Sequence, residues 1–145
     1  MFTDAFRHNM TIVVLSILVQ LPVGLAIALL LNRRMRGQGV LRTIIFVPYV
    51  LSEVIAGVVW LQLLQPEYGV VDTVLGAVGI SGPEQGWLGT PEVALYTVFV
   101  VLTWTYLGLA VLLFLAGLQG VPDELVEAAQ IDGASWWQVQ RRVTV

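Results

Sequence analysis

The sequence predicts an all-α integral membrane protein, a helical bundle of three transmembrane helices with a short cytoplasmic helix attached. Three observations carry that prediction. Hydrophobic residues make up 57% of the 145-residue chain and charged residues 12%, about half the charged share of an ordinary soluble domain. Long apolar runs recur along the chain, and a helix needs about 20 such residues to cross roughly 30 Å of hydrocarbon. The connections between the runs are segregated by charge, arginines in one and carboxylates in the next.

Met1 to Asn9 carries Asp4, Arg7 and His8 and reads as a short polar lead on the membrane surface. The uncharged run 10–31 follows. It exceeds the apolar part of a signal peptide, arginines follow it at once, and it lacks a small-residue cleavage site, so it is expected to stay in place as a span. Pro22 removes a backbone hydrogen bond that neighbouring helices must help to replace, and a kink is expected there. Gly24 and Ala28 are spaced for close helix–helix approach.

Asn32 to Thr43 holds Arg33, Arg34, Arg36 and Arg42 without a carboxylate, and Gly37 and Gly39 mark it as a loop. The positive-inside rule makes it cytoplasmic. The second span, 44–64, then travels outward to a loop from Gln65 to Glu92 that carries Glu67, Asp72, Glu84 and Glu92 and no basic residue. In that Gly- and Pro-rich loop, Val71, Val74, Leu75 and Val78 are spaced for one short helix lying along the interface. Trp60 and Trp87 are expected at headgroup level. The third span, 93–118, returns to the cytoplasm, so that six of the seven arginines lie inside.

Composition excludes several classes of function. With no Cys and only His8 there is neither a disulfide scaffold nor material for a zinc site. A net charge of −3 with one short arginine cluster gives no footprint for nucleic acid. The chain has no Lys and hence no phosphate-binding loop, and no nucleophile and base stand at recognisable spacing. No cofactor, metal site or catalytic residue is expected.

Three residues inside the spans are candidates for contact with a cargo. Glu53 is the one carboxylate within a span, about 15 Å from its cytoplasmic end, where an ionisable group ordinarily faces a cavity, a partner or a pathway. Two readings stay open: it lines a translocation route, or it pairs with another helix inside the bundle. Trp104 and Tyr106, midway along the third span, stack on sugar rings in one reading and pack between helices in the other.

The polar stretch after the third span reads as helix, stop, helix. Pro122 suits a first helical position, and Asp123 and Glu124 put negative charge at the positive end of the dipole. Leu125, Ala128, Ala129 and Asp132 share one face. Gly133 is a stop signal, and Ser135 with Gln138 forms a capping-box start. Two alanines make a poor lipid anchor and leave room for another backbone to approach, so the face suits docking.

Glu127-Ala128-Ala129, then Gly133 after three intervening residues, then Val143 and Val145 after nine more, resemble the EAA loop of the permease subunits of binding-protein-dependent ABC importers. Val143 and Val145 stand where that pattern has Ile and Leu, and the sequence stops where its Pro would come. Ile131-Asp132-Gly133-Ala134-Ser135, Leu41-Arg42-Thr43 with Pro48, and Leu115-Ala116-Gly117-Leu118-Gln119 are similar to the carbohydrate-importing branch. The resemblance implies a permease component in a prokaryotic cell membrane, translocating a sugar or related solute by alternating access. It implies as partners a cytoplasmic ATPase subunit, a second permease subunit and an extracytoplasmic solute-binding protein. On that basis the loop 119–142 is the coupling loop: Leu125, Ala128 and Ala129 pack in a cleft of the ATPase, Glu127 and Asp132 bind polar groups beside it, and Gly133 permits the turn. The resemblance also makes residues 1–145 a partial transmembrane domain, with a further span expected before Met1 and another after Trp136. Two alternatives remain open on sequence alone: a non-conducting membrane scaffold using the same docking helix, and a secondary transporter.

Overall fold

The computed structural model describes residues 2–32, 36–66 and 68–139, without the side chains of residues 123, 126, 127, 136 and 137. All regular structure among them is helical: α1 (Phe2–Leu15), α2 (Leu21–Leu31), α3 (Gln38–Val50), α4 (Glu53–Leu63), α5 (Val70–Ala77), α6 (Pro91–Gln119), α7 (Asp123–Ile131) and α8 (Trp136–Val139). Arg33, Arg34, Glu67, Arg141, Arg142 and the end of the expected coupling loop lie outside the described residues.

α1 and α2 form one helix of 30 residues, Phe2–Leu31, apolar and long enough to cross a membrane. The polar lead expected at Met1 to Asn9 is instead helical from Phe2 onward and continuous with that span. At Pro22 the helix continues by widening. Ser16–Gln20 is a π turn in which the Leu21 N–H reaches back to the Ser16 carbonyl, and such a turn relieves the clash between a proline ring and the carbonyl four residues before it.

The second expected span is not one helix. α3 and α4 are apolar enough together to cross a membrane but meet at an angle of 101°. Leu51 and Ser52 are extended (ψ 143° and 134°) between them. Gly39, expected in the preceding loop, belongs to the first turn of α3; the turn itself is made at Gly37, with φ +83°, and Gln38 caps the end of α2 by donating its side-chain N–H to the Leu31 carbonyl at 2.5 Å.

α6, 29 residues without interruption, is the axis of the molecule, and both α2 and α3 pack along it. Ala28, Leu31, Val111, Leu115 and Leu118 form the buried cluster, with Ile45, Phe46 and Phe114 against it. In lipid no hydrophobic force drives helices together, so close contact between small residues decides the packing. Gly24 lies against Ala110 and Phe114, as its spacing with Ala28 predicts. Gly108 matters more. A Cβ there would stand 2.5 Å from the Ile45 carbonyl oxygen, so the α3 and α6 backbones touch where only glycine permits it.

Between α4 and α6 the chain folds over the ends of both. α5 covers the helix expected there and stops at Gly79, which has φ +80°. The Trp87 indole N–H donates to Asp72 Oδ1 at 2.7 Å, and the Thr97 hydroxyl donates to the Trp87 carbonyl at 3.0 Å, tying α5, the following loop and α6 together.

Candidate functional site

Two places on this scaffold carry the polar chemistry singled out by the sequence. The first is the break between α3 and α4. Ser52 is the N-cap residue of α4, its carbonyl accepting the first helical hydrogen bond from Ala56 at 2.9 Å, and Glu53 occupies the first turn. A carboxylate there is favoured by the dipole of the helix it begins. The Tyr106 hydroxyl donates to Glu53 Oε1 at 2.5 Å, across 53 residues of sequence. Tyr49, one turn before the break, sets its ring edge-on to Tyr106 with centroids 6.4 Å apart. A carboxylate and two phenols thus converge where the backbone is non-helical, an arrangement able to accept and donate hydrogen bonds to hydroxyl groups.

Trp104 does not join this cluster. Residues two apart on a helix project about 200° from each other; Trp104 meets Trp60 of α4 edge-on, with centroids 5.5 Å apart, while Tyr106 turns toward Glu53. The Trp60 indole nitrogen is buried without a hydrogen-bond partner among the described residues. Against Trp60 an apolar cavity of ≈ 390 Å³ opens, lined also by Leu64, Val71, Trp87, Tyr96 and Thr97 among others. Tyr49 is the member of the polar cluster that sequence reasoning missed. Its signal was a spacing of four residues from Glu53, across Leu51 and Ser52, legible only once the break is known.

The second place is α7 and its exit. Pro122 is the N-cap residue, extended at ψ 132°, one position earlier than the first-turn position expected of it. At the other end Gly133 has φ +81°, its N–H donates to the Gln130 carbonyl and the Ala134 N–H to the Ala129 carbonyl, each at 3.0 Å. This pair of bonds is a Schellman stop. A Cβ at Gly133 would meet nothing within 4 Å, so the backbone conformation alone calls for glycine. The Ser135 N–H donates to Gln138 Oε1 at 2.7 Å, which is the reciprocal half of a capping box.

Among the described residues the main packing of α7 is against α8. Leu125 is 55% and Ile131 86% exposed, and Ala128 between them is exposed while Ala129 is partly buried. Leu125, Ala128 and Ile131, at successive steps of three, therefore make an uncovered apolar stripe. In the sequence Ile131 counts only toward the family pattern and was not assigned to this face, although its position three residues beyond Ala128 was signal enough. Asp132 is exposed at the C-cap. The side chain of Glu127 lies outside the described part of the structure.

Comparison with known proteins joins these features. Residues 20–145 match the model of the family described as binding-protein-dependent transport system inner membrane component. The chain belongs to that family. It is a multi-pass membrane protein, and the helical fold of the described residues agrees with that of a permease of known structure. This solved structure is a bacterial ABC transporter involved in the import of the acidic polysaccharide alginate, which superimposes with a TM-score of 0.86 at 28% identity over 99% of this chain and 50% of the other. Among relatives, the trehalose/maltose transport system permease protein MalF of Thermococcus litoralis is 36% identical over 130 residues, 90% of this chain and 43% of its own length. The xylose/arabinose import permease protein XacH of Haloferax volcanii is 33% identical over 144 residues, 99% of this chain and 45% of its own length. The chain thus spans about half the length of the relatives it matches.

Proposed function

We propose that these residues form the core of the permease subunit of an ABC importer that moves a sugar or related polyhydroxylated solute by alternating access. The observation that carries the reading is α7: a short helix beyond the end of α6, with an exposed stripe of Leu125, Ala128 and Ile131 and a stop fixed at Gly133. A helix of that kind is a knob for another protein, and in this family the other protein is a cytoplasmic ATPase subunit. Leu125, Ala128 and Ala129 sit in its cleft, with Glu127 and Asp132 on polar groups at the rim. ATP chemistry belongs to that subunit, and this chain contributes no catalytic group. A second permease subunit and an extracytoplasmic solute-binding protein complete the assembly.

The spans proposed are 10–31, 44–64 and 93–118, with loop 119–142 in the cytoplasm beside the arginine-bearing connection 32–43. The middle span is broken at Leu51–Ser52. Non-helical backbone at membrane depth is tolerated where it is buried in protein or lines a water-filled cavity, which supports a place for Glu53 and Tyr106 on the translocation pathway. Trp104, paired with Trp60, borders it. The sugar class of the cargo is supported by the relatives, named for trehalose and maltose in one case and for xylose and arabinose in another.

The test is uptake of a labelled disaccharide into vesicles that hold the full-length permease, its partner permease and ATPase, with binding protein outside. ATP-dependent accumulation is expected. Accumulation driven by an ion gradient without ATP would contradict the proposal in favour of a secondary transporter, and a complex that binds the ATPase yet never accumulates any saccharide would favour a scaffold.

A further inference from the structure

Arg42 is absorbed by neither of the two places described above. It lies one turn into α3, at the end of the helix that adjoins the polar linker and therefore at the membrane–water boundary. Arg42 is partly buried, and its Nε is fully buried with no hydrogen-bond partner among the described residues, although a buried N–H ordinarily has an acceptor. Two hollows meet at this side chain. One of ≈ 200 Å³ lies between α3 and the end of α6, lined by Arg42, Phe46, Leu112, Leu115, Ala116 and Gln119. The other, of ≈ 460 Å³, runs along α3 from Arg42 and Thr43 past Phe46 and Val47 to Val50 and Leu51. Arg42 and Phe46 line both, so together they form one groove with a cationic head and an apolar tail. Val47 and Val50 along the tail are 47% and 79% exposed.

We propose that this groove binds one anionic glycerophospholipid, its phosphate on Arg42 and one acyl chain along Phe46, Val47 and Val50. The occupant is argued from charge. The connection 32–43 carries Arg33, Arg34, Arg36 and Arg42 and no carboxylate, α3 has no acidic residue, and its positive N-terminal end faces the same boundary. Basic pockets between membrane helices at that depth suit phosphate headgroups. Gln119, at the end of α6, is placed to donate a second hydrogen bond to a headgroup oxygen. Because Phe46 packs against the α2–α6 core, a bound lipid would brace α3 against α6 close to the Gly108 contact.

The experiment uses the full-length permease in its complete transporter, purified in mild detergent, delipidated and then offered phosphatidylglycerol or phosphatidylcholine, with retained lipid counted by native mass spectrometry. Phosphatidylglycerol is expected to be retained over phosphatidylcholine by about fivefold per arginine engaged. Arg42→Gln is expected to abolish that preference and Arg42→Lys to keep most of it. Leu112→Trp, which fills the groove and leaves the arginine in place, is expected to lower retention of both lipids and provides the answer if Arg42→Gln fails to fold. Equal retention of the two lipids by the wild type overturns the proposal, as does an unchanged preference in Arg42→Gln. So does a groove that retains neither lipid because other helices of the transporter fill it.

Discussion

α6 and the α3–α4 pair are both apolar enough to cross a membrane, and they differ in backbone continuity. α6 runs 29 residues without a break and is packed on by its neighbours, its buried positions Gly108, Val111, Leu115 and Leu118 forming the seam that α2 and α3 share. The α3–α4 pair turns through 101° at two extended residues and places its one carboxylate at the turn. Hydropathy treats the two alike, because it measures the cost of leaving water and is blind to backbone continuity. We read the unbroken helix as the scaffold and the broken one as the place where polar groups gather, since Glu53, Tyr106 and Tyr49 meet at the freed backbone of the break.

The sharpest way to break the comparison is at the seam. Gly108→Val puts a side chain against the Ile45 carbonyl, whose oxygen stands 2.5 Å from where a Cβ would lie. Overpacking of this kind costs about 1–3 kcal/mol. Because the clash is with backbone, the upper end is expected, read as a lower thermal unfolding midpoint of the purified transporter. Gly24→Val, whose Cβ would meet the Ala110 Cβ at 3.2 Å, is expected to shift the midpoint in the same direction by less. If Gly108→Val leaves the midpoint unchanged, α6 is not the scaffold described.

At the break, the expected effects fall on transport and leave the fold alone. Glu53→Leu removes the acceptor of the Tyr106 hydroxyl and is expected to reduce uptake severely while membrane insertion and the unfolding midpoint hold. Glu53→Gln keeps an acceptor of the same size and is expected to be milder, as is Tyr106→Phe. If Glu53→Leu lowers the midpoint and leaves the uptake of surviving protein normal, the carboxylate is an internal strut and the broken helix is only another piece of scaffold.

The smallest and most selective effect is at Gly133. With φ +81° and open space around the missing Cβ, Asn should be nearly silent there, because it tolerates the left-handed region. A β-branched Val should cost about 1–3 kcal/mol of local strain. The expected readout is loss of ATPase co-purification with Gly133→Val and its retention with Gly133→Asn, the unfolding midpoint being barely moved in either. Equal behaviour of the two variants would remove the conformational argument for the stop.

These regions also differ in how much could be read from the sequence. Helix stop and start signals are local, so Gly133, Ser135 and Gln138 were legible in order and α7 ended where its glycine required. The apolar character of the spans was legible for the same reason. The break was not, because Pro48 lies within α3 and the chain leaves the helix only three residues later. The usable signal was Ser52 followed by Glu53, a capping residue and a first-turn acid, hidden inside an apolar run. Tertiary facts were further out of reach: the meeting of Tyr106 with Glu53, and the need for Gly108 beneath Ile45, depend on the crossing of α3 and α4 over α6.

The central claim is that α7 is a docking knob for an ATPase, and engineered cysteines test it directly. The chain contains no Cys, so a single Leu125→Cys or Ile131→Cys in the full-length permease is the one thiol this stretch contributes. With a thiol-reactive crosslinker in assembled membranes, both positions are expected to join the ATPase subunit, with yields that change when a non-hydrolysable ATP analogue is bound. Adducts with lipid alone, or none with the ATPase while the complex is demonstrably intact, would contradict the account.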